Sequence, residues 1–356
     1  MHKYPYEWTI ADTVFEKNKG TVFSCFSCGG GSSFGYKLAG FDVIGCNEID
    51  PKMMDVYKLN HNPKYSYLES IETFKTRKDL PKELYNLDIL DGSPPCSSFS
   101  MAGNREKDWG KDKKFREGQA EQVLDTLFFD FIDLAKELQP KVVIAENVKG
   151  LLLGNAFEYV RKIYDEFDKA GYHCQHWVLN ASHMGVPQRR ERVFFVCLRK
   201  DIATPFFYQK DLFDIKPLLE LEFNEPEIKF KEIDQGNVER KKITSEYHLK
   251  LLENTSETGR CYTIIPSENH TMGTVGFLFH VAKNHIPYTL KAKENGVAYH
   301  DKEHYITDYE TCLIGSYPID YNFNKVNPMY LIGMSVPPVI MAHISEKVHN
   351  QWLSNL

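Results

Sequence analysis

One cysteine of this chain stands directly behind two prolines. Residues 91–100 read Asp-Gly-Ser-Pro-Pro-Cys-Ser-Ser-Phe-Ser and follow the apolar run Leu87-Asp88-Ile89-Leu90. Pro94 and Pro95 fix their own φ angles, and each pushes the residue before it out of the helical region. The Cys96 thiol is therefore expected on a stiff turn at the carboxyl end of a strand, where open α/β sheets bind ligands. That setting suits a nucleophile. A structural thiol would more often lie mid-strand among aliphatic residues and would not need the prolines.

Other reactive groups recur at strand ends. Glu146 closes the apolar run Lys141-Val142-Val143-Ile144-Ala145. Taken alone it reads as an acid near a helix N-terminus; taken with Cys96 at the corresponding end of another strand, it reads as a catalytic acid. Arg190 and Arg192 alternate just before Val193-Phe194-Phe195-Val196, so both are expected on one face. Two neighbouring guanidiniums call for an anion or a polar carbonyl between them, and a phosphate or a pyrimidine carbonyl would serve. Gly29, Gly30 and Gly31 follow the β-prone stretch from Thr21 to Phe26 and open a helix-like segment, a place where backbone can approach a ligand closely. Glu48 ends the next strand, Val43-Ile44-Gly45-Cys46, where an acid typically accepts ribose hydroxyls. The turn lacks strict dinucleotide spacing and no Walker lysine-serine pair follows, so NAD and ATP are poorly supported. Cys25 and Cys28 form a lone C-x-x-C, two ligands where a zinc site wants four.

The elements that must position these groups alternate over the first two hundred residues. Between the strands lies a run with helical periodicity, Val123, Leu124, Leu127, Phe128, Phe131, Leu134, Ala135 and Leu138, stopped at Pro140. Strand and helix in alternation predict an α/β fold with a doubly wound, mostly parallel sheet. Residues 201–285 show no clear period, and organisation returns near Pro287-Tyr288-Thr289-Leu290. The chain has 356 residues, 42% hydrophobic and 26% charged, enough for one large domain and a smaller one. No apolar run is expected to span a membrane, and eight scattered cysteines suggest reduced thiols in a cytoplasmic protein. The net charge of −6 argues against indiscriminate coating of nucleic acid but allows a local basic face. Residues 188–192 and 239–242 are two candidates for it, the second reading rather more readily as a solvated charge run.

In order, these pieces resemble the DNA cytosine carbon-5 methyltransferases of prokaryotic type. Ser24-Cys25-Phe26-Ser27-Cys28-Gly29-Gly30-Gly31 is similar to the family's first motif, Asn47-Glu48 to its second, and Pro94-Pro95-Cys96-Ser97-Ser98-Phe99-Ser100 to its catalytic motif. Glu146-Asn147-Val148 matches the motif with the acid, and Gln188-Arg189-Arg190-Glu191-Arg192 the paired-arginine motif. Thr289-Leu290 with Tyr317-Pro318, and Gly333-Met334-Ser335-Val336-Pro337-Pro338, resemble the last two. The third motif, expected near Glu69-Ser70-Ile71, is degraded. Cys28 replaces the usual glycine and Met334 the usual asparagine.

The resemblance implies a Rossmann-like methyltransferase core over residues 1–200, a smaller DNA-recognition domain over 201–320, and a segment 321–356 returning to the core. It implies S-adenosylmethionine as donor, S-adenosylhomocysteine as product and no metal. Phe26, Gly29, Gly30, Gly31, Glu48, Ile49, Pro94, Ser335 and Val336 would bind the donor; Cys96, Glu146, Arg190 and Arg192 would carry the chemistry. Arg192, with Arg190 behind it, would hold the cytosine carbonyl and orient the acid. Duplex DNA would be the partner, with Ser97, Ser100, Asn104, Arg105, Arg240, Lys241, Lys242 and Arg260 as contacts. The stretch Ser97 to Gly118 would be the mobile loop closing over a flipped-out base. The protein would act as a monomer near the nucleoid, with any cognate restriction endonuclease separate. Two alternatives stay open: transfer RNA as substrate, and a DNA-binding module that has lost turnover.

Overall fold

The computed structural model describes residues 2–95, 126–153, 157–209, 215–253, 255–259, 264–267, 270–275, 280–292 and 296–356. Cys96, Ser97, Ser100, Asn104, Arg105 and Arg260, and the stretch Ser97 to Gly118, lie outside the described residues. The chain divides into two compact units. One comprises Val14–Asn180, Glu191–Glu222 and Ile340–Leu356; the other comprises Met1–Thr13, Ala181–Arg190 and Phe223–Val339.

The first unit is built on seven strands: β1 (Thr21–Cys25), β2 (Asp42–Glu48), β3 (Tyr65–Leu68), β4 (Ile89–Gly92), β5 (Val142–Val148), β6 (Tyr172–Asn180) and β7 (Glu191–Arg199). They lie in the order β3-β2-β1-β4-β5-β7-β6. All pairings from β3 to β5 are parallel, while β7 runs antiparallel to both β5 and β6. The order reverses at β1, so the carboxyl ends of β1 and β4 flank the crevice that such sheets use for ligands.

The side chains of β1 show why helices cover both faces. Phe23 and Cys25 join a core cluster with Phe74 of α3 (Ile71–Phe74), Phe131 of α4 (Leu127–Leu138) and Ile163 of α5 (Phe157–Lys169). Ser24, one residue out of step, faces α1 (Gly31–Leu38) together with Asp91 of β4, as the period of two requires. On that face α2 (Pro51–His61) packs Met54 and Tyr57 on Cys46. Helix α2 begins at Asp50, whose carboxylate accepts the N–H groups of Lys52 and Met53, and it ends at Asn62 in the left-handed region; both are the expected signals. A bulge between Val22 and Phe23 relative to β2 shifts the alternation there.

The second unit holds α6 (Glu246–Glu253), α7 (Asp308–Ile314), α8 (Pro328–Met334) and the two-stranded sheet of β10 (Ile264–Ser267) and β11 (His270–Val275). A small antiparallel pair, β8 (Phe207–Gln209) and β9 (Ile215–Pro217), belongs to the first unit. So does most of α9 (Pro338–Gln351). The stretch Pro328–Asn355 has the length and mean hydropathy, 1.2, of a span-like run. Its apolar window is 83% buried inside the protein, and it is two helices joined at Ser335-Val336-Pro337.

Candidate active site

The turn after β1 is held by the acid that ends β2. Glu48, only 5% exposed, accepts the N–H of Cys28 at 2.7 Å on Oε2 and those of Ile49 and Asp50 at 3.0 and 2.9 Å on Oε1. Ser27 N–H reaches the Asn47 carbonyl at 3.3 Å, and Gly30 N–H closes on the Ser27 carbonyl at 2.8 Å. Within this turn Phe26, Cys28 and Gly30 all have positive φ, at 52°, 49° and 85°. Two non-glycine residues in the left-handed region of one turn are a local cost of the kind that clusters at functional sites. Phe26, half-buried, presents a ring packed on Phe131 at a centroid distance of 6.3 Å. An aromatic face, a glycine turn and a buried carboxylate are together a set of groups that could hold an adenosyl donor.

Gly30 is glycine for a reason other than ligand approach. A Cβ there would lie 2.0 Å from His61 Nε2, so the imidazole already fills that side of the turn. The sequence alone assigns the glycines to the ligand and gives His61 no part.

At the neighbouring sheet edge β4 ends at Gly92, a position kept as glycine because a Cβ there would strike the Phe131 ring at 2.5 Å. The chain then enters Pro94, whose carbonyl accepts Asn147 Nδ2 at 3.2 Å. Asn147, 3% exposed, adjoins Glu146 on β5. The pair Pro94–Asn147 thus ties the turn that leads into Cys96 to the strand end that carries the acid. Asn147 sits inside a motif the sequence singles out, yet only the structure assigns it this role.

Glu146 Oε1 lies 3.0 Å from Arg192 Nε, with side chains 12% and 16% exposed. Burial lowers the Arg192 proton affinity, and Glu146 opposes that shift. A second Arg192 nitrogen donates to the Glu191 carbonyl at 2.8 Å. A guanidinium aimed by a carboxylate at a strand end can bind a carbonyl oxygen while fixing the acid beside it.

Arg190 does something else, and the expectation that it shares a face and a ligand with Arg192 is corrected. It is 2% exposed and belongs to the second unit. Its guanidinium donates to the carbonyls of Leu290 at 3.2 Å, Gly333 at 3.3 Å and Ser335 at 2.9 Å. Backbone carbonyls thus take up both of its terminal nitrogens. Gln188 adds to this knot, accepting Leu290 N–H at 3.1 Å and donating to the Ile314 carbonyl at 2.9 Å. The arginine motif thus fastens the segments that carry the last two motifs. Ser335 and Val336 are both 4% exposed in the second unit, and the Ser335 hydroxyl donates to the Leu331 carbonyl at 2.8 Å.

Arg240 is likewise withdrawn from the DNA contacts. Its side chain is 4% exposed, paired through both terminal nitrogens with Glu310 at 2.6 and 2.7 Å, and its guanidinium lies 3.7 Å from the Tyr299 ring centroid. Lys241 and Lys242, by contrast, are exposed.

One buried acid carries no signal in the sequence that would mark it. Asp91, 2% exposed, accepts Ser24 Oγ at 2.7 Å and Tyr36 Oη at 3.1 Å. Burial pushes its carboxyl up to about 7, the two hydroxyls pull it down, and the Glu146 charge pushes it up. Cys25 is 1% exposed with its thiol pushed up by burial, an inert setting for one half of the C-x-x-C.

The strand order with a reversed seventh strand, and the clamped turn at its crevice, are those of a Rossmann-like methyltransferase core. The chain belongs to the C-5 cytosine-specific DNA methylase family, which matches residues 20–350. It is 37% identical over 181 residues to the type II methyltransferase M.FnuDI of Fusobacterium nucleatum, covering 51% of this chain and 47% of that one. The chain thus spans about half the length of that relative. M1.HphI of Haemophilus parahaemolyticus is 27% identical over 337 residues, covering 92% of this chain and 86% of its own length. Among solved structures, DNMT2 of Spodoptera frugiperda superposes with a TM-score of 0.60 at 19% identity, over 92% of this chain and 99% of that one, a likeness of fold.

Proposed function

We propose that this protein is a DNA (cytosine-5-)-methyltransferase of bacterial type. The observation that carries the reading is the Glu146–Arg192 pair, held at a sheet edge beside the turn that leads into Cys96. Carbon-5 of cytosine is a poor nucleophile, and addition of a thiolate at carbon-6 turns the ring into an enamine that can accept a methyl group. Cys96 supplies that thiolate. Glu146 holds a proton at ring nitrogen-3, and Arg192 binds the carbonyl oxygen and keeps the acid in register. S-adenosylmethionine supplies the methyl group when bound against Phe26, Glu48 and the glycine turn. Loss of the carbon-5 proton then releases Cys96.

Duplex DNA is the substrate, with the target cytosine flipped out at a cost of a few kcal/mol. The core unit carries the chemistry, and residues within 201–320 read the sequence, with Lys241 and Lys242 on phosphate. The protein works in the cytoplasm, and any cognate endonuclease acts separately.

The test is transfer of labelled methyl from S-adenosylmethionine to mixed-sequence duplex DNA, with Cys96→Ala in parallel. Label on carbon-5 of cytosine from the wild type alone supports the reading, and mapping the label gives the target sequence. Label on transfer RNA instead, or saturable donor binding with no transfer to either, overturns it.

A further inference from the structure

The glycine turn is clamped from two sides, and only one clamp belongs to the family motifs. Glu48 holds Cys28 from the β2 side. From the other side comes His61, the last residue of α2, 7% exposed. Its ring lies 4.0 Å from the centroid of Phe34 on α1 and 4.3 Å from that of Tyr57 on α2. Its edge meets Gly30 so closely that a methyl there would sit 2.0 Å from Nε2, 2.6 Å from Cδ2 and 2.9 Å from Cε1. The two helices are pinned around this ring by the Ser33–Tyr57 hydroxyl pair at 2.8 Å and by Lys37 Nζ on the His61 carbonyl at 3.1 Å.

We infer that His61 is a positioning residue for the donor: its imidazole is the floor that fixes the height of the Gly29-Gly30 backbone at the start of α1. The inference rests on the reading of Phe26 to Gly31 as the donor turn. Gly30 caps α1 at φ 85° and ψ 26°; its N–H closes on the Ser27 carbonyl, and the face turned to α2 is met by the His61 ring. Packing against the rigid edge of the His61 ring limits sterically how far this backbone can move toward α2. Burial and then the Lys37 ammonium keep the imidazole neutral, with the Gly29 backbone acting weakly the other way. The floor is therefore an uncharged, flat group of fixed thickness. Removing it lets the turn sag toward α2, so donor affinity falls alongside the stability lost to the cavity.

The experiment measures S-adenosylhomocysteine binding by titration calorimetry for the wild type, His61→Ala, Gly30→Ala and the double variant, with thermal melts of each. His61→Ala should weaken binding about tenfold to a hundredfold while kcat at saturating donor changes far less. Gly30→Ala should weaken it further by collision with the ring. In the double variant the new methyl occupies the space the ring leaves, so affinity should recover relative to Gly30→Ala. The strain of alanine at positive φ is common to both variants and cancels in that comparison. Should His61→Ala fail to fold, His61→Gln takes its place and should lose affinity to a smaller extent. Unchanged affinity in a folded His61 variant, or a double variant no better than Gly30→Ala, overturns the inference. A wild type that does not bind S-adenosylhomocysteine removes the donor reading itself, and the inference with it.

Discussion

Arg192 Nε lies 3.0 Å from Glu146 Oε1 across two adjoining antiparallel strands, in a register that sets Val148 opposite Arg192. Neither side chain is fully sealed, so the pair can receive a ligand without first breaking. Arg192→Ala should lower single-turnover methyl transfer by about a hundredfold to a thousandfold, the usual loss for one preorganised donor. Donor affinity, measured separately, should stay near the wild-type value. A large loss of donor affinity with intact transfer at saturation would assign the pair to the donor and not to the base.

Arg190 and Arg192 should behave oppositely, although one residue separates them. Arg190→Ala strands the carbonyls of Leu290, Gly333 and Ser335, each costing about 1–3 kcal/mol when buried without a donor. The expected result is a lower melting temperature and poor yield, with the folded fraction still turning over. Arg190→Lys keeps the charge but not the fork and should recover only part of the stability. A stable, inactive Arg190→Ala protein would return this residue to the chemistry.

Asp91 gives the protein a pH-dependent stability of unusual sign. Its carboxyl rises from an ordinary 3.8 to about 7 in the folded protein, so between those values the folded state holds a proton that the unfolded chain has lost. Its contribution is full below pH 3.8 and is lost as pH rises through about 7. Across that window it amounts to a few kcal/mol at roughly 1.4 per unit. Asp91→Asn removes the titration and leaves an amide between Ser24 and Tyr36. Urea melts should therefore show the variant gaining on the wild type as pH is raised from 5 to 8. A difference that stays flat with pH would show that Asp91 does not titrate there.

The three basic residues at 240–242 should separate by experiment. Arg240→Ala leaves Glu310, fully buried, without its cationic partner and with the Gln235 and Thr307 N–H groups left on its carboxylate, which costs about 3–5 kcal/mol. It should appear as instability. Lys241→Ala and Lys242→Ala should leave the melting temperature alone and weaken DNA binding uniformly across sequences. Removing one phosphate-binding lysine should reduce the slope of log K against log salt by about 0.9. An unchanged slope in the double lysine variant would remove both from the DNA face.

The parts legible in the sequence are those written in local chemistry. The strand-glycine-helix passage at Thr21 to Gly31, the acid that ends β2 and the proline turn before Cys96 each carry their reason within a few residues. The parts that are not legible depend on partners far along the chain. Arg190 looks like a ligand-binding arginine until the carbonyls of Leu290 and Ser335, 100 and 145 residues later, are seen around it. Arg240 sits in a charged run, and only Glu310, 70 residues on, turns it inward. Strand β6, with the sequence YHCQHWVLN, has a half-exposed face and no apolar run, so periodicity passes over it. His61 has no motif around it; its role comes from a glycine thirty-one positions earlier.

The second unit is assembled from chain segments made at very different times. Trp8 Nε1 donates to the Ser316 carbonyl, and the N–H groups of Ile10 and Ala11 bind the Asp320 carboxylate, contacts 308 to 310 residues apart. At roughly 5–20 residues per second, residues 2–13 wait about 15 to 60 s on the ribosome for these partners. The seven-stranded sheet lies entirely between Thr21 and Arg199 and can pair during that interval. Synthesis therefore sets an order: the sheet can form while the chain is still growing, whereas Trp8, Ile10 and Ala11 lack these partners until residues 316 to 320 emerge.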